Sequence, residues 1–210
     1  MALVTFVIAI AGHSGAGKST VIENLVSQLG SANSLSLDEY EASSIYPSTT
    51  KWIEGGANPD EFQSPQFVID ITALKNGKAI IHPITGKKVK AESVLIIEEP
   101  FGRERKALYD LIDFVVYIDV PLDIAYARKL ARKNEFLPWE DNPDVFVSNL
   151  RENLEWYLSS GREFYLAIAR RVRPNCDLVI DGTQPVEDIT KQIIATINKM
   201  RVDPGNPINL

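Results

Sequence analysis

Cysteine occurs once in the 210 residues, at Cys176, so no internal disulfide can form. The chain must be held by its core, and a reducing compartment is the simplest expectation. Cys176 itself reads as a buried spacer rather than a nucleophile. Histidine occurs only twice, and His13 and His82 lie too far apart, without Cys or His neighbours at ligand spacing, to suggest zinc. Basic residues are also short, with 22 Lys and Arg against 28 Asp and Glu for a net charge of −6. That balance argues against a general nucleic-acid binder, whose affinity comes from clustered positive charge. Long apolar runs are missing as well. The candidate at 3–11 is too short to cross a bilayer and lacks the basic flank of a signal peptide, so no membrane contact and a cytoplasmic location are expected. Neither an internal repeat nor a low-complexity segment appears.

What is present suffices for one domain with a sizeable core, since 45% of the residues are hydrophobic. Five short apolar runs, 3–11, 34–37, 94–97, 114–118 and 178–180, recur at intervals that leave room for helices. β-Branched runs separated by helical patterns predict a parallel sheet covered on both faces. Ligands on such sheets bind beyond the carboxyl ends of the strands. The residues that follow the runs, Gly12, Asp38, Glu98, Asp119 and Asp181, are therefore the ones to inspect.

The first of these opens Gly12-His13-Ser14-Gly15-Ala16-Gly17-Lys18-Ser19, the pattern G-x-x-x-x-G-K-[ST]. Glycines at 12, 15 and 17 permit backbone angles that turn consecutive N–H groups inward around an anion. Lys18 would reach the β- and γ-phosphates of a nucleotide, Ser19 would ligate Mg²⁺, and residues 12–20, through Thr20, would line the phosphate site at a helix N-terminus. A buried strand over 4–11 precedes the loop, and Val21, Ile22, Leu25, Val26 and Leu29 give the following helix one apolar face closed by Gly30. Strand, loop and helix in that order predict an α/β fold of the P-loop NTPase type. It would have three layers, about five parallel strands, helices on both faces and a small inserted hairpin.

The other candidates lie around that loop. Asp38 would accept the proton of a substrate hydroxyl or hold Mg²⁺, or would merely cap the next helix or turn. Glu98, nearer the strand end than Glu99, would serve as a metal-associated or base carboxylate, or stand simply solvated. A helix over 121–135 puts Arg128 and Arg132 on one face, as a lid on the transferring phosphoryl group or as an ordinary solvated basic face. Segment 43–92 breaks the rhythm with Pro47, Gly55, Gly56, Pro59 and Pro65, and contains a helix over 66–75 and a hairpin over 79–90. It reads as an insertion that builds an acceptor pocket, with 128–142 as lid and 201–210 as tail of a single domain over 1–200. Helices are also predicted from 142 to 171, with a break at Ser160-Gly161, and from 183 to 200.

Taken together, GHSGAGKST, LSLDEY, the segment from Asn58 to Phe62, LKNGKAIIHP, VLIIEE and DFVVYIDVPLDIAYARKLARK resemble, in order, the uridine kinase branch of the phosphate-loop kinases. That group also includes phosphoribulokinase and bacterial pantothenate kinase. The resemblance implies a five-stranded parallel sheet, ATP·Mg²⁺ as phosphoryl donor, a hairpin at the substrate site and an arginine lid. By position it implies a catalytic base at Asp38 and the strand-end acid at Glu98. The chain departs from the pattern where Tyr40 is followed by Glu41 instead of a second aromatic, and where Ile84-Thr85-Gly86 follows Pro83 instead of a Tyr-Asp pair. It also has Asn134-Glu135-Phe136-Leu137 where the lid commonly ends in Glu-Arg-Gly-Arg. The donor side is intact and the base-reading side is not.

The function expected is transfer of the γ-phosphate of ATP to a hydroxyl of a small metabolite other than uridine, held by Tyr40, His82 and Lys87 or Lys88. The competing class, a nucleotide-dependent switch or assembly ATPase acting on a protein partner, is disfavoured. The chain has no N-K-x-D segment, no L-S-G-G-Q signature and no D-x-x-G after the third strand. Neither the acceptor nor the oligomeric state follows from these residues, and a homo-oligomer stays open.

Overall fold

A computed structural model describes residues 5–136 and 142–202 of the protein. Five strands, β1 (Phe6–Ala11), β2 (Ala32–Ser36), β5 (Val94–Glu98), β6 (Phe114–Asp119) and β7 (Leu178–Asp181), form one parallel sheet in the order β2-β5-β1-β6-β7. Two-residue strands β3 (Ile80–Ile81) and β4 (Lys88–Val89) make the separate antiparallel hairpin. The helices are α1 (Lys18–Leu29), α2 (Thr49–Glu54), α3 (Pro65–Lys75), α4 (Lys106–Tyr109), α5 (Leu122–Phe136), α6 (Pro143–Trp156), α7 (Arg162–Val172) and α8 (Val186–Val202).

The period-2 geometry of β1 sends its side chains alternately to two apolar layers. Phe6, Ile8 and Ile10 pack with Val21, Ile22 and Leu25 of α1 and with Ile189, Ile193 and Ile197 of α8. Val7, Ala9 and Ala11 meet Trp52, Phe67, Ile71, Ile168 and Val172 on the other side. Burial on both faces is why the strand reads as a continuous apolar run. Each Ile or Phe fully removed from water contributes about 1.5–3 kcal/mol.

Several boundaries differ from the sequence expectation for identifiable reasons. β2 starts at Ala32 and ends at Ser36 because it is an edge strand with polar Asn33 and Ser34 in it, so the apolar run marks only part of it. Leu37 instead opens a 3₁₀ helix, Leu37–Ser43. The stretch expected to break at Ser160-Gly161 continues through one π-helical turn, Tyr157–Gly161. Gly161 is needed there for close packing, since a Cβ would lie 2.5 Å from the Trp156 ring. The short helices α2 and α4 have too few turns to show an apolar period. Residues 137–141 of the expected lid and 203–210 of the expected tail lie outside the described residues.

With β1 at the centre of the sheet, the chain first builds outward to β2 and β5 and then crosses to β6 and β7. That reversal leaves a crevice beyond the carboxyl ends of β1, β5 and β6, where open α/β sheets hold ligands.

Candidate active site

The loop between β1 and α1 folds as its glycines require. Gly12, Gly15 and Gly17 have φ of 141°, 85° and 93°. At Gly15 the demand is double, because a Cβ would stand 1.9 Å from the carbonyl oxygen of Ala125 in α5. The glycine thus allows α5 to lie directly against the loop.

Lys18, only 8% exposed, donates to the His13 carbonyl at 3.0 Å and pairs with Glu98 Oε1 at 3.4 Å. Ser19 Oγ donates to Glu98 Oε2 at 3.0 Å. The loop's ammonium and hydroxyl are therefore both presented to one carboxylate at the end of β5. The neighbouring Glu99 has a different job. It is fully buried and ion-paired with Arg105, which also donates to the Phe62 carbonyl and to Ser64 Oγ. Burial pushes the Glu99 carboxyl above its ordinary value and Arg105 opposes that.

Asp38 lies in the first turn of the 3₁₀ helix, but the cap there is Ser36, whose backbone N–H donates to Glu39 Oε2 at 3.0 Å. The capping role that Asp38 could have filled is taken by its neighbours. Burial raises the Asp38 carboxyl from its usual range, Glu98 adds to the rise, and Lys18 and Arg132 pull the other way.

These groups share one cavity of about 290 Å³ lined by Gly12 to Gly15, Gly17 to Thr20, Asp38, Glu98 and Arg132, and closed by Tyr46, Phe62, Phe101, Phe164 and Tyr165. Ala16 stands behind the loop, buried in the core. The aromatic wall is the part that sequence reasoning missed. Phe62 closes the Asn58 to Phe62 segment and Phe101 follows the β5 acids by two residues, but nothing in their spacing shows that they converge. Their rings lie 4.8 Å apart, centroid to centroid, with Tyr46 and Phe164 at 5.6 and 5.9 Å from Phe62. Tyr165 joins the wall to the loop and to α5, accepting a hydrogen bond from Lys129 Nζ at 3.1 Å and standing 5.6 Å from the His13 ring.

Other expected site residues are held elsewhere. Tyr40 is turned into the core, 1% exposed, with its hydroxyl donating to Asp70 Oδ2 at 2.9 Å. Arg128 donates to the Gly182 carbonyl at 3.0 Å and does not line the cavity, whereas Arg132 does. On the hairpin, His82 Nδ1 accepts from the backbone N–H groups of Ile84 and Thr85, and Nε2 lies 3.5 Å from Glu39. Lys87 and Lys88 are exposed on the same hairpin, and none of these three residues lines the cavity. Of the other strand-end acids, Asp119 is held by Arg173 at 3.0 Å and Asp181 by Thr183 at 2.6 Å.

His13 is buried beside the loop, its Nε2 3.3 Å from the Tyr117 hydroxyl, and its Nδ1 has no partner among the described residues. Burial, reinforced by Lys18 and partly offset by Asp119, lowers its pKa from 6.5 to about 4. The fold therefore favours the neutral ring. That stability is complete above pH 6.5 and is lost as pH falls toward the folded value. His13→Gln is expected to lack this loss, which for the wild type amounts to about 2 kcal/mol between roughly pH 7.5 and pH 5. Denaturant titrations of both proteins across that range check it, and parallel curves would contradict it.

No family model matches the chain. Over 141 residues it is 30% identical to the uridine kinase of Staphylococcus aureus strain JH9, an alignment covering 61% of this chain and 68% of that protein. The uridine kinase of strain Newman aligns with the same identity and coverage. A Silicibacter sp. TM1040 protein named for a fructose transport system kinase superposes with a TM-score of 0.52 over 84% of this chain and 89% of its own, at 19% identity, a likeness of fold alone. No described helix is long and apolar enough to cross a membrane. The phosphate loop, the five-stranded parallel sheet and these relatives place the chain in the uridine kinase family of P-loop kinases, as an ATP-dependent small-molecule kinase.

Proposed function

We propose that the protein transfers the γ-phosphate of ATP to a hydroxyl of a small molecule seated between Asp38 and the aromatic wall. The observation that carries this is a single cavity joining Lys18, Ser19 and Glu98 of the donor side to Asp38 and to a second, apolar end.

In this reading the loop N–H groups and Lys18 hold the β- and γ-phosphates. Arg132 answers charge on the transferring group as a planar fork. Asp38 accepts the hydroxyl proton, helped by a carboxyl whose pKa is raised from its ordinary value. Ser19 and Glu98 supply hard oxygen donors of the kind Mg²⁺ takes, and they would hold it against the phosphates, where the ion would neutralise developing negative charge. Arg128, engaged with Gly182, would take part only if that contact opened. The acceptor is not held by Tyr40, whose hydroxyl is committed to Asp70.

The test is ADP release from ATP·Mg²⁺ alone and with pooled small alcohols. A rise that depends on the alcohol supports the kinase. Turnover stimulated only by a protein partner would support a switch or assembly ATPase instead.

A further inference from the structure

The acceptor end of the cavity has a chemistry of its own. Beginning at Asp38, the lining runs through Leu37, Tyr46, Phe62, Phe101, Phe164 and Ile168. Leu37, Phe101 and Ile168 are buried in the core and so form a fixed floor, while Tyr46, 40% exposed, stands at the lip. Tyr46 and Asp38 line the same cavity.

The four charged residues of the lining are Lys18, Asp38, Glu98 and Arg132. Lys18 and Glu98 are paired at the loop. Arg132 comes from α5 and is assigned above to the phosphoryl group. Two further cations stand close to the wall without lining the cavity: Arg105, 3% exposed and held by Glu99, Ser64 and the Phe62 carbonyl, and Lys129, which donates to the Tyr165 hydroxyl and lies 4.8 Å from the Trp156 ring. Among the described residues that line the cavity, the one charge left beside the acceptor is the negative one of Asp38.

Three consequences follow from this inventory. A carboxylate or phosphate on the acceptor would be desolvated against aromatic rings next to a like charge, with no unassigned cation among the described lining residues to answer it. A nucleobase would bury polar edge groups with few side-chain partners, each unpaired group lowering affinity about ten-fold or more. A flat or otherwise apolar body would be matched by ring faces and edges on several sides.

We propose that the acceptor is an uncharged alcohol with an apolar, ring-bearing body, and neither an anionic hydroxy acid nor a pyrimidine nucleoside. This rests on the kinase reading of the same site.

The experiment compares benzyl alcohol and 2-phenylethanol with uridine, glycerate and pantothenate as acceptors, reading both ADP release and formation of the phosphate ester. The expected result is a kcat/KM for the ring-bearing alcohols about ten-fold or more above that for the other three. Phe164→Ala should raise KM for those alcohols about ten-fold while leaving KM for ATP within about two-fold. Because Phe164 also packs against Trp52, Tyr46→Lys at the exposed lip is the second variant. It should fold normally and move preference toward glycerate and pantothenate by placing a cation at that end. Best use of an anionic acceptor or of uridine by the wild type would overturn the proposal and leave the kinase reading standing. Ester formation from none of the five would overturn both.

Discussion

Lys18→Ala is expected to lose a factor of about 10² to 10³ in turnover, the usual effect of removing one preorganised electrostatic contact at a reacting centre. The ammonium is held within 3.0 Å of the His13 carbonyl and 3.4 Å of Glu98, so it is aimed before any nucleotide arrives. Folding should suffer far less. Glu98 keeps its hydrogen bond from Ser19 and is not sealed from water, so the loss should be near 1 kcal/mol, or roughly 2–4 °C in Tm at this chain length. Steady-state kinetics beside a thermal melt separate the two effects. Near-normal turnover would remove the loop from the chemistry.

Asp38→Asn should cut kcat by about 10² to 10⁴ while ATP binding is kept, because the amide preserves size and removes the proton acceptor. The same variant should melt higher than the wild type at neutral pH. The Asp38 carboxyl is raised above its ordinary value, mainly by burial and then by Glu98. A carboxyl raised in the folded state contributes stability below its unfolded pKa and loses that contribution as pH rises through the folded value, so at neutral pH its ionised form is a liability to the fold. The gain in Tm should therefore shrink when both proteins are melted near pH 4. A group placed for stability would behave oppositely, with lower Tm and unchanged kcat. Weaker ATP binding at unchanged kcat would make Asp38 a metal or structural residue.

What could be read from the sequence depended on whether a role is encoded by contiguous residues. The phosphate loop was legible because glycine, lysine and serine must stand at fixed spacing to surround an anion, and the sheet was legible because its central strands are buried on both faces. Glu98 was placed beside Lys18 and Ser19 by the rule that ligands gather at strand ends. Tyr40 was not predictable in the same way. Whether it faced the acceptor or the core depended on the 3₁₀ turn that follows β2, and that turn directs it to Asp70. Arg128 and Arg132 share a helix face, yet four residues of rise separate them by about 6 Å along the axis. One is held by Gly182 and the other reaches the cavity. The aromatic wall was illegible for a plainer reason. Tyr46, Phe62, Phe101 and Phe164 come from four separate segments, and only the tertiary fold brings them together.

The most direct measurement is to incubate the protein with γ-labelled ATP·Mg²⁺ and a mixture of small alcohols, and to follow the label in wild type and Asp38→Asn. The expected result is label in an acid-stable phosphate ester of an alcohol with the wild type, and at least about a hundred-fold less with the variant at saturating ATP. Label released only as inorganic phosphate, at equal rates in the two proteins, would contradict phosphoryl transfer to a hydroxyl activated by Asp38.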